Sequence, residues 1–433
     1  MAENDSSATP AAATENAADQ EVKTMRSLQL TGYGGIKMVK FQTVPQVTPK
    51  EGEVLIRVKA CGLNFLDLIL RQGAMETPPK TPFTMGFECC GEVEALGENV
   101  DRFNIGDRVI GICDTGAWAE LACVPAQFVY PMPSGMSFQD GAALFMNYVP
   151  AHIMMFDIGG LKNNQSILVH SAGGGVGHAV CQLAKTVDGA TVFGTASYNK
   201  HDAIKNNLEH LYDHVVDYSQ EIRKVSPEGV DIVLDSLCGE DTNKGIGLLK
   251  PLGRYILYGS SNIVTGETKS FFSLAKSWWQ VDKISPIKLY EENKTVSGFQ
   301  LRTLMFKQNR HEYIRDVVNT LFQMYNDGKV RPTVDSTWAF EDVGEAMQKM
   351  HDRKNIGKIV LDPSLPPKEK EGATDAVLDQ EPSSTQEGAS SSPSQPASFL
   401  NFTLITLQNA TGVGSTGAGT EKPADESKEA KAE

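Results

Sequence analysis

The chain has 433 residues and a mass of 47.0 kDa, room for about two domains at the usual ~100–200 residues each. Its 40% hydrophobic and 22% charged residues are those of a globular protein with a sizeable core. The net charge is −14, of which residues 1–24 and 364–433 supply −10 and the middle only −4, so nucleic-acid phosphates have no matching basic surface.

Residues 1–24 are rich in Ala, Ser, Thr and Glu and bury little, and they read as a disordered tail. They lack both the apolar run of a secretory signal and the basic character of a transit peptide. Seven scattered cysteines lack the density of a disulfide framework and point to a reducing cytoplasm. No apolar run approaches the ~20 residues of a membrane-spanning helix; peripheral attachment to membranes or vesicles stays open. Residues 25–149 alternate apolar and polar positions between turn glycines, as in Val54–Val58, Gly91–Gly97 and Gly106–Gly111, which predicts a β-rich, partly open barrel. From about residue 150 to 309 the rhythm changes. Strands at Ser166–His170, Ala190–Gly194, Asp231–Asp235 and Arg254–Tyr258 alternate with helical stretches, beginning at Gly177–Lys185, and imply a doubly wound parallel sheet. Residues 310–363 add an amphipathic helix at 311–327 and a strand at Gly357–Leu361 that closes the ordered part. Residues 364–433 read as a second disordered, low-complexity tail, interrupted by the β-prone stretch Phe399–Leu407.

The sharpest local signal is the turn from His170 to Gly177 between the first parallel strand and its helix. Ala172, Gly174 and Gly177 occupy the small-residue positions of a dinucleotide fingerprint, with Gly175 and Val176 between the last two. A tight turn there brings backbone N–H groups and the positive end of a helix dipole against a pyrophosphate. The next strand ends in Thr195, with Ser197 and Lys200 just beyond and no carboxylate to accept from a ribose 2′-hydroxyl. That pattern favours NADP(H), against the alternative that Lys200 is an ordinary surface lysine.

The chain resembles the medium-chain dehydrogenase/reductase superfamily, and within it the quinone oxidoreductase (zeta-crystallin-like) branch. The residues that carry this are Val58–Asp67, Gly86–Glu88 with Gly91, Gly106–Val109 and Val169–Gly177. The segments Phe193–Ser197, Leu249–Gly253, Ser277–Trp279 and Lys288–Lys294 are similar to the vesicle amine transport protein 1 homolog-like group. The resemblance implies a GroES-like domain over residues 25–149, completed by about 310–363, a Rossmann domain over residues 150–309, a homodimer, and a small-molecule quinone or α,β-unsaturated carbonyl as substrate. It also implies that no metal is bound. The positions matching the first two zinc ligands of related alcohol dehydrogenases are Asn64 and Phe87, and neither belongs to the usual N/S donor set. Hydride transfer from NADPH to an already electrophilic carbon needs no Lewis acid. By the same matching, Asn64 lies near nicotinamide and substrate as an orienting donor, against the alternative of a residue that only caps a turn. Tyr218 and Lys200 fall near the adenosine phosphate, Ser236, Tyr258, Gly259 and Ser260 near the nicotinamide ribose, and Lys358 is a lesser phosphate candidate. The family's usual Thr is replaced by Pro150, which cannot donate a hydrogen bond; a catalytically weak, vesicle-associated nucleotide-binding protein is therefore the competing expectation. His152, in an apolar helical stretch, reads as structural.

Overall fold

The computed structural model describes residues 22–206, 208, 210–213, 217–263 and 284–369. Residues 1–21 and 370–433 of the expected tails, Phe399–Leu407 among them, and Ser277–Trp279 lie outside the described residues; the inner ends of both tails are structured, with Thr24 opening a strand and Lys368 bonded to Asp342. The described residues all fall within one compact unit, residues 1–371.

The N-terminal half is antiparallel. Strands β1 (Thr24–Leu30), β2 (Val39–Pro45) and β4 (Phe83–Thr84) make a small sheet in the order β2-β1-β4, with β3 (Glu53–Leu63) between β2 and β4 in sequence. β3 instead pairs with β5 (Glu88–Leu96) and β7 (Leu121–Pro125), and β5 continues through β6 (Arg108–Ile112) to β8 (Val129–Pro131). Alternation along β3 puts Val54, Ile56 and Val58 into the core while Arg57 stays exposed and pairs with Glu94 across the sheet.

The parallel half contains β9 (Ser166–Val169), β10 (Thr191–Thr195), β11 (His210–Tyr212), β12 (Val230–Asp235), β13 (Leu249–Leu257) and β14 (Thr295–Gly298) in the order β11-β10-β9-β12-β13-β14. Both faces of this sheet are covered, and β9 makes the reason visible: Ile167 and Val169 belong to the main core, whereas Leu168 points to a second cluster with Phe193, Tyr218, Ile222 and Tyr255. The strand order reverses between β9 and β12. In such a sheet a crevice opens at that point beyond the carboxyl ends of the strands, and ligands bind there.

The chain then returns to the first half. β15 (Val334–Trp338) and β16 (Lys358–Leu361) join its larger sheet, with β16 antiparallel to β3. The predicted elements appear with small shifts at their ends, except that β13 begins at Leu249 rather than Arg254. Its register against β12 jumps between Val230 and Ile232, and Leu252 adopts φ 66°. The irregularity absorbs Pro251, whose missing N–H would otherwise break the ladder.

Candidate active site

A cleft of about 370 Å³ runs from the crevice between β9 and β12 to the first turn of helix α1 (Phe65–Arg71). Its nucleotide end is built by the turn that follows β9. Helix α3 (Gly175–Ala184) starts at the cleft, with Gly174 as its N-cap. The three glycines differ in what they allow. A Cβ on Gly177 would lie 2.6 Å from the backbone of Ala172, and one on Gly175 would lie 2.4 Å from Asn147 Oδ1. One on Gly174 would meet only Ser171 O, at 3.2 Å. Gly177 lets the helix sit against the turn after β9, Gly175 lets it approach Asn147, and Gly174 leaves the cradle open for a diphosphate. Ser171 and Ser236, from the ends of β9 and β12, meet at 3.3 Å across the crevice. Tyr258, Gly259 and Ser260, beyond the end of β13, continue the wall.

Where a 2′-phosphate would lie, Ser197 and Lys200 line the cleft without any carboxylate at the end of β10. Lys200 Nζ donates to Asn355 O at 2.8 Å, and burial pushes the ammonium pKa down. The nearby Asp335 carboxylate opposes that shift, and Arg353, missed in the sequence reading, lines the same end and adds to it by its own charge. Two neighbouring cations with no carboxylate on the wall are a fitting receptor for a doubly charged phosphate. Arg353 is remote in sequence and reaches the site only because β16 brings the preceding loop back. Gly357 N–H donates to Gly173 O at 2.9 Å.

At the other end, Asn64 is the N-cap of α1, and the Asp67 carboxylate accepts from Asn64 N–H at 2.8 Å. Burial lifts the Asp67 pKa well above the usual carboxylate range, a shift opposed by that N–H and by Lys358. The Asn64 carboxamide does more than cap. Its Nδ2 donates to Glu88 Oε1 at 3.0 Å, and its Oδ1 accepts from Lys358 Nζ at 2.6 Å. Lys358 Nζ also donates to Glu88 Oε1 at 2.5 Å. All three side chains are buried, and Asn64 and Lys358 form part of the cleft wall. Gly62 is required beneath them, because a Cβ there would meet Glu88 Oε1 at 2.0 Å. Around this polar cluster the wall is apolar, with Phe65, Leu66, Ile69, Met146 and Leu301.

Of the predicted site residues, Asn64, Gly174, Gly175, Val176, Gly177, Ser197, Lys200, Ser236, Tyr258, Gly259 and Ser260 converge on this cleft. Three do not. Ala172 is buried behind the turn, where its N–H donates to Thr195 O. The Thr195 side chain turns inward to His170 Nδ1, 2.9 Å away. Tyr218 faces the second core cluster and donates its hydroxyl to Asp241, because it starts a helix packed on the far face of the sheet. Lys358, the lesser phosphate candidate, also lines the cleft, where its ammonium donates to Glu88 and Asn64. Glu88, in the quoted Gly86–Glu88 motif, was not singled out; its glycine-crowding contact could not be read from spacing. Pro150 lines the cleft from within helix α2 (Phe138–His152), and His152 lies outside the wall, packed on Phe156, with burial lowering its pKa.

Two family models match the chain: the alcohol dehydrogenase GroES-like domain over residues 50–134 and the zinc-binding dehydrogenase over residues 212–361. The residues here do not fit a zinc ion despite the second name. Asn64 and Phe87 stand at the ligand positions, the Lys358 ammonium is bonded to Asn64, and no group of three or more His, Cys, Asp or Glu that could hold a metal occurs among the described residues. A mouse synaptic vesicle membrane protein VAT-1 homolog-like is 58% identical over 342 residues, 79% of this chain and 82% of its own. A guanaco (Lama guanicoe) quinone oxidoreductase is 30% identical, covering 78% of this chain and 98% of its own. The crystal structure of the human VAT-1 homolog-like protein superposes with a TM-score of 0.71 at 50% identity, over 79% of this chain and 99% of that one. A mycobacterial structure complexed with NADPH superposes with a TM-score of 0.68 at 26% identity, over 78% of this chain and all of that one.

Proposed function

The chain belongs to the quinone oxidoreductase-like branch of the medium-chain dehydrogenases/reductases, beside the VAT-1 homolog-like proteins, and from that membership we propose that it is a zinc-independent, NADPH-dependent reductase of quinones or α,β-unsaturated carbonyls. The observation that carries this reading is the convergence of three features in one cleft: an open glycine cradle at Gly174, the cation pair Lys200 and Arg353, and Asn64 among apolar side chains. NADPH, when bound, supplies the hydride. Gly174 and the start of α3 hold its diphosphate, Lys200 and Arg353 bind its 2′-phosphate, and Ser236, Tyr258, Gly259 and Ser260 border its nicotinamide ribose. Phe65, Leu66, Ile69 and Met146 exclude water from a flat apolar acceptor, and Asn64 orients the oxygen that gains charge. No side chain is assigned as proton donor to carbon; that proton comes from solvent.

The test is NADPH oxidation against a panel containing 1,4-benzoquinone, 1,4-naphthoquinone and 2-cyclohexenone, beside NADPH and NADH titrations. Turnover at least tenfold above background with preferential NADPH binding supports the reading. Tight NADPH binding without turnover would overturn it in favour of a nucleotide-binding module, the reading that Pro150 in the cleft wall and the vesicle names of the relatives favour. A cytoplasmic homodimer with peripheral vesicle contact is part of the same proposal, with sedimentation and liposome flotation as its measurements. Among the described residues no helix is long and apolar enough to cross a membrane.

A further inference from the structure

An ammonium group is a costly thing to bury, and of the two buried ones on the cleft wall Lys358 is the deeper. Lys358 is 2% exposed, on β16, and its Nζ is held between Glu88 of β5 and Asn64 at the start of α1. Three separate elements thus converge to hold an ion pair that is neutral overall but oriented, its ammonium end on the cleft wall with Asn64 and its carboxylate outside that wall. A purely structural ion pair gains little over apolar packing of the same volume, so its location on the wall of a ligand cleft calls for a use. That cation also adjoins Asn64, which stands where related alcohol dehydrogenases have a zinc ligand.

We infer that Lys358, anchored by Glu88 and acting through Asn64, sets a positive field at the end of the cleft where the substrate's oxygen gains negative charge. This rests on the reductase reading and names what it requires of the substrate: an oxygen conjugated to the carbon that accepts hydride. As that carbon forms its new C–H bond, the C=C π pair shifts into the bond to the carbonyl carbon and the C=O π pair moves onto the oxygen. An enone becomes an enolate that water protonates. A quinone becomes the enolate of an enedione, which water protonates at oxygen and which then tautomerises to the hydroquinone by losing a proton from the new CH2; the cofactor is left as NADP+. The Lys358 ammonium holds the Asn64 carboxamide in one orientation through Oδ1 and offsets the charge of the new oxyanion without transferring a proton. Lys358 and Glu88 are therefore positioning residues, and a fixed cation does here electrostatically what a Lewis acid does elsewhere in the superfamily.

The inference is tested in the full-length protein with Lys358→Ala, Lys358→Arg and the charge-balanced double variant Lys358→Met/Glu88→Gln, which keeps the test open should a lone buried carboxylate prevent folding. With 1,4-benzoquinone, or whichever panel member wild type reduces, Lys358→Ala and the double variant are expected to lose about 100-fold in kcat. NADPH Kd should stay within threefold, Lys358→Arg should recover most of the rate, and added methylammonium should partly rescue Lys358→Ala. A fall in kcat of less than threefold would overturn the inference. So would a loss that appears equally in NADPH affinity, which would make Lys358 a phosphate ligand. A second readout needs no turnover: p-nitrophenol titrated into the cleft should bind as its yellow phenolate at a pH where free phenol is mostly neutral, and Lys358→Ala and the double variant should abolish that preference. If wild type binds only the neutral phenol, no positive field acts at this end. If it binds the phenolate but reduces no panel member, the reductase reading falls and the charge assignment survives.

Discussion

At the scale of single residues, the glycines of the cradle separate binding from folding. Gly174 has ordinary extended backbone and faces the cleft, and a Cβ there meets only Ser171 O, at 3.2 Å, which a shift of a few tenths of an ångström relieves, so Gly174→Asp should fold while placing a carboxylate against the diphosphate. Like-charge contact of this kind is worth several kcal/mol, and NADPH affinity should drop more than about 100-fold by titration calorimetry; unchanged affinity would disprove the cradle. Gly177→Ala should do the opposite. Its Cβ meets backbone atoms that cannot step aside, and overpacking of about 1–3 kcal/mol should lower the unfolding midpoint. In the proposed function, the choice of dinucleotide falls to Lys200 and Arg353. A charged hydrogen bond is worth about 1.5–3 kcal/mol, so Lys200→Ala and Arg353→Ala should each weaken NADPH roughly tenfold or more and leave NADH nearly untouched. Equal losses for both cofactors would remove the 2′-phosphate from this corner.

At the scale of elements, helix α1 joins stability to chemistry, because one residue both caps it and borders the cleft. The Asp67 carboxylate that returns to Asn64 N–H is fully buried, and its pKa is raised. A carboxyl whose folded value lies above its unfolded one stabilises the fold fully below about pH 3.9, and that contribution is lost as pH rises through the folded value. Asp67→Asn, which keeps an acceptor but cannot ionise, should therefore gain stability relative to wild type between pH 4 and pH 7 in urea unfolding. A difference independent of pH would contradict this. Elements of this kind were legible where local pattern and packing agree. The alternation in Val54–Val58, the β-rich runs of the parallel sheet and the glycine turn all predicted what is present. What escaped was long-range. Glu88, Asn64 and Lys358 meet across up to 294 positions of chain, and no periodicity announces that β16 pairs with β3. Tyr218 escaped in the other direction, since a strand-to-helix position adjacent to a cofactor loop says nothing about which face of the sheet the ring will choose.

At the scale of the whole molecule, the cleft depends on the last described stretch of chain, because β16 carries Lys358 and the loop before it carries Arg353 and Asn355. That stretch is tied down just beyond β16. Arg26 Nη2, on β1, donates to Pro363 O at 2.7 Å, Lys368 N–H donates to Asp342 at 3.0 Å, and the Lys368 ammonium lies 3.3 Å over the Trp338 ring of β15. One charged hydrogen bond of about 1.5–3 kcal/mol and a cation–π contact of about 0.5–1 kcal/mol act together on the strands that close the larger sheet. A chain ended after Glu369 retains every one of these contacts, and it should melt within about 2 °C of the full chain and bind NADPH with the same Kd. A chain ended after Asp362 loses all of them. At about 2–4 °C per kcal/mol for domains of 150–250 residues, its midpoint should fall by roughly 4 °C or more, and NADPH affinity should fall with it as the loop bearing Arg353 loosens. Scanning calorimetry and cofactor titration of the two truncations decide the matter: identical midpoints would mean that the Lys368 and Arg26 contacts contribute nothing, whereas a loss already present at Glu369 would place the anchor of the cleft further along the chain.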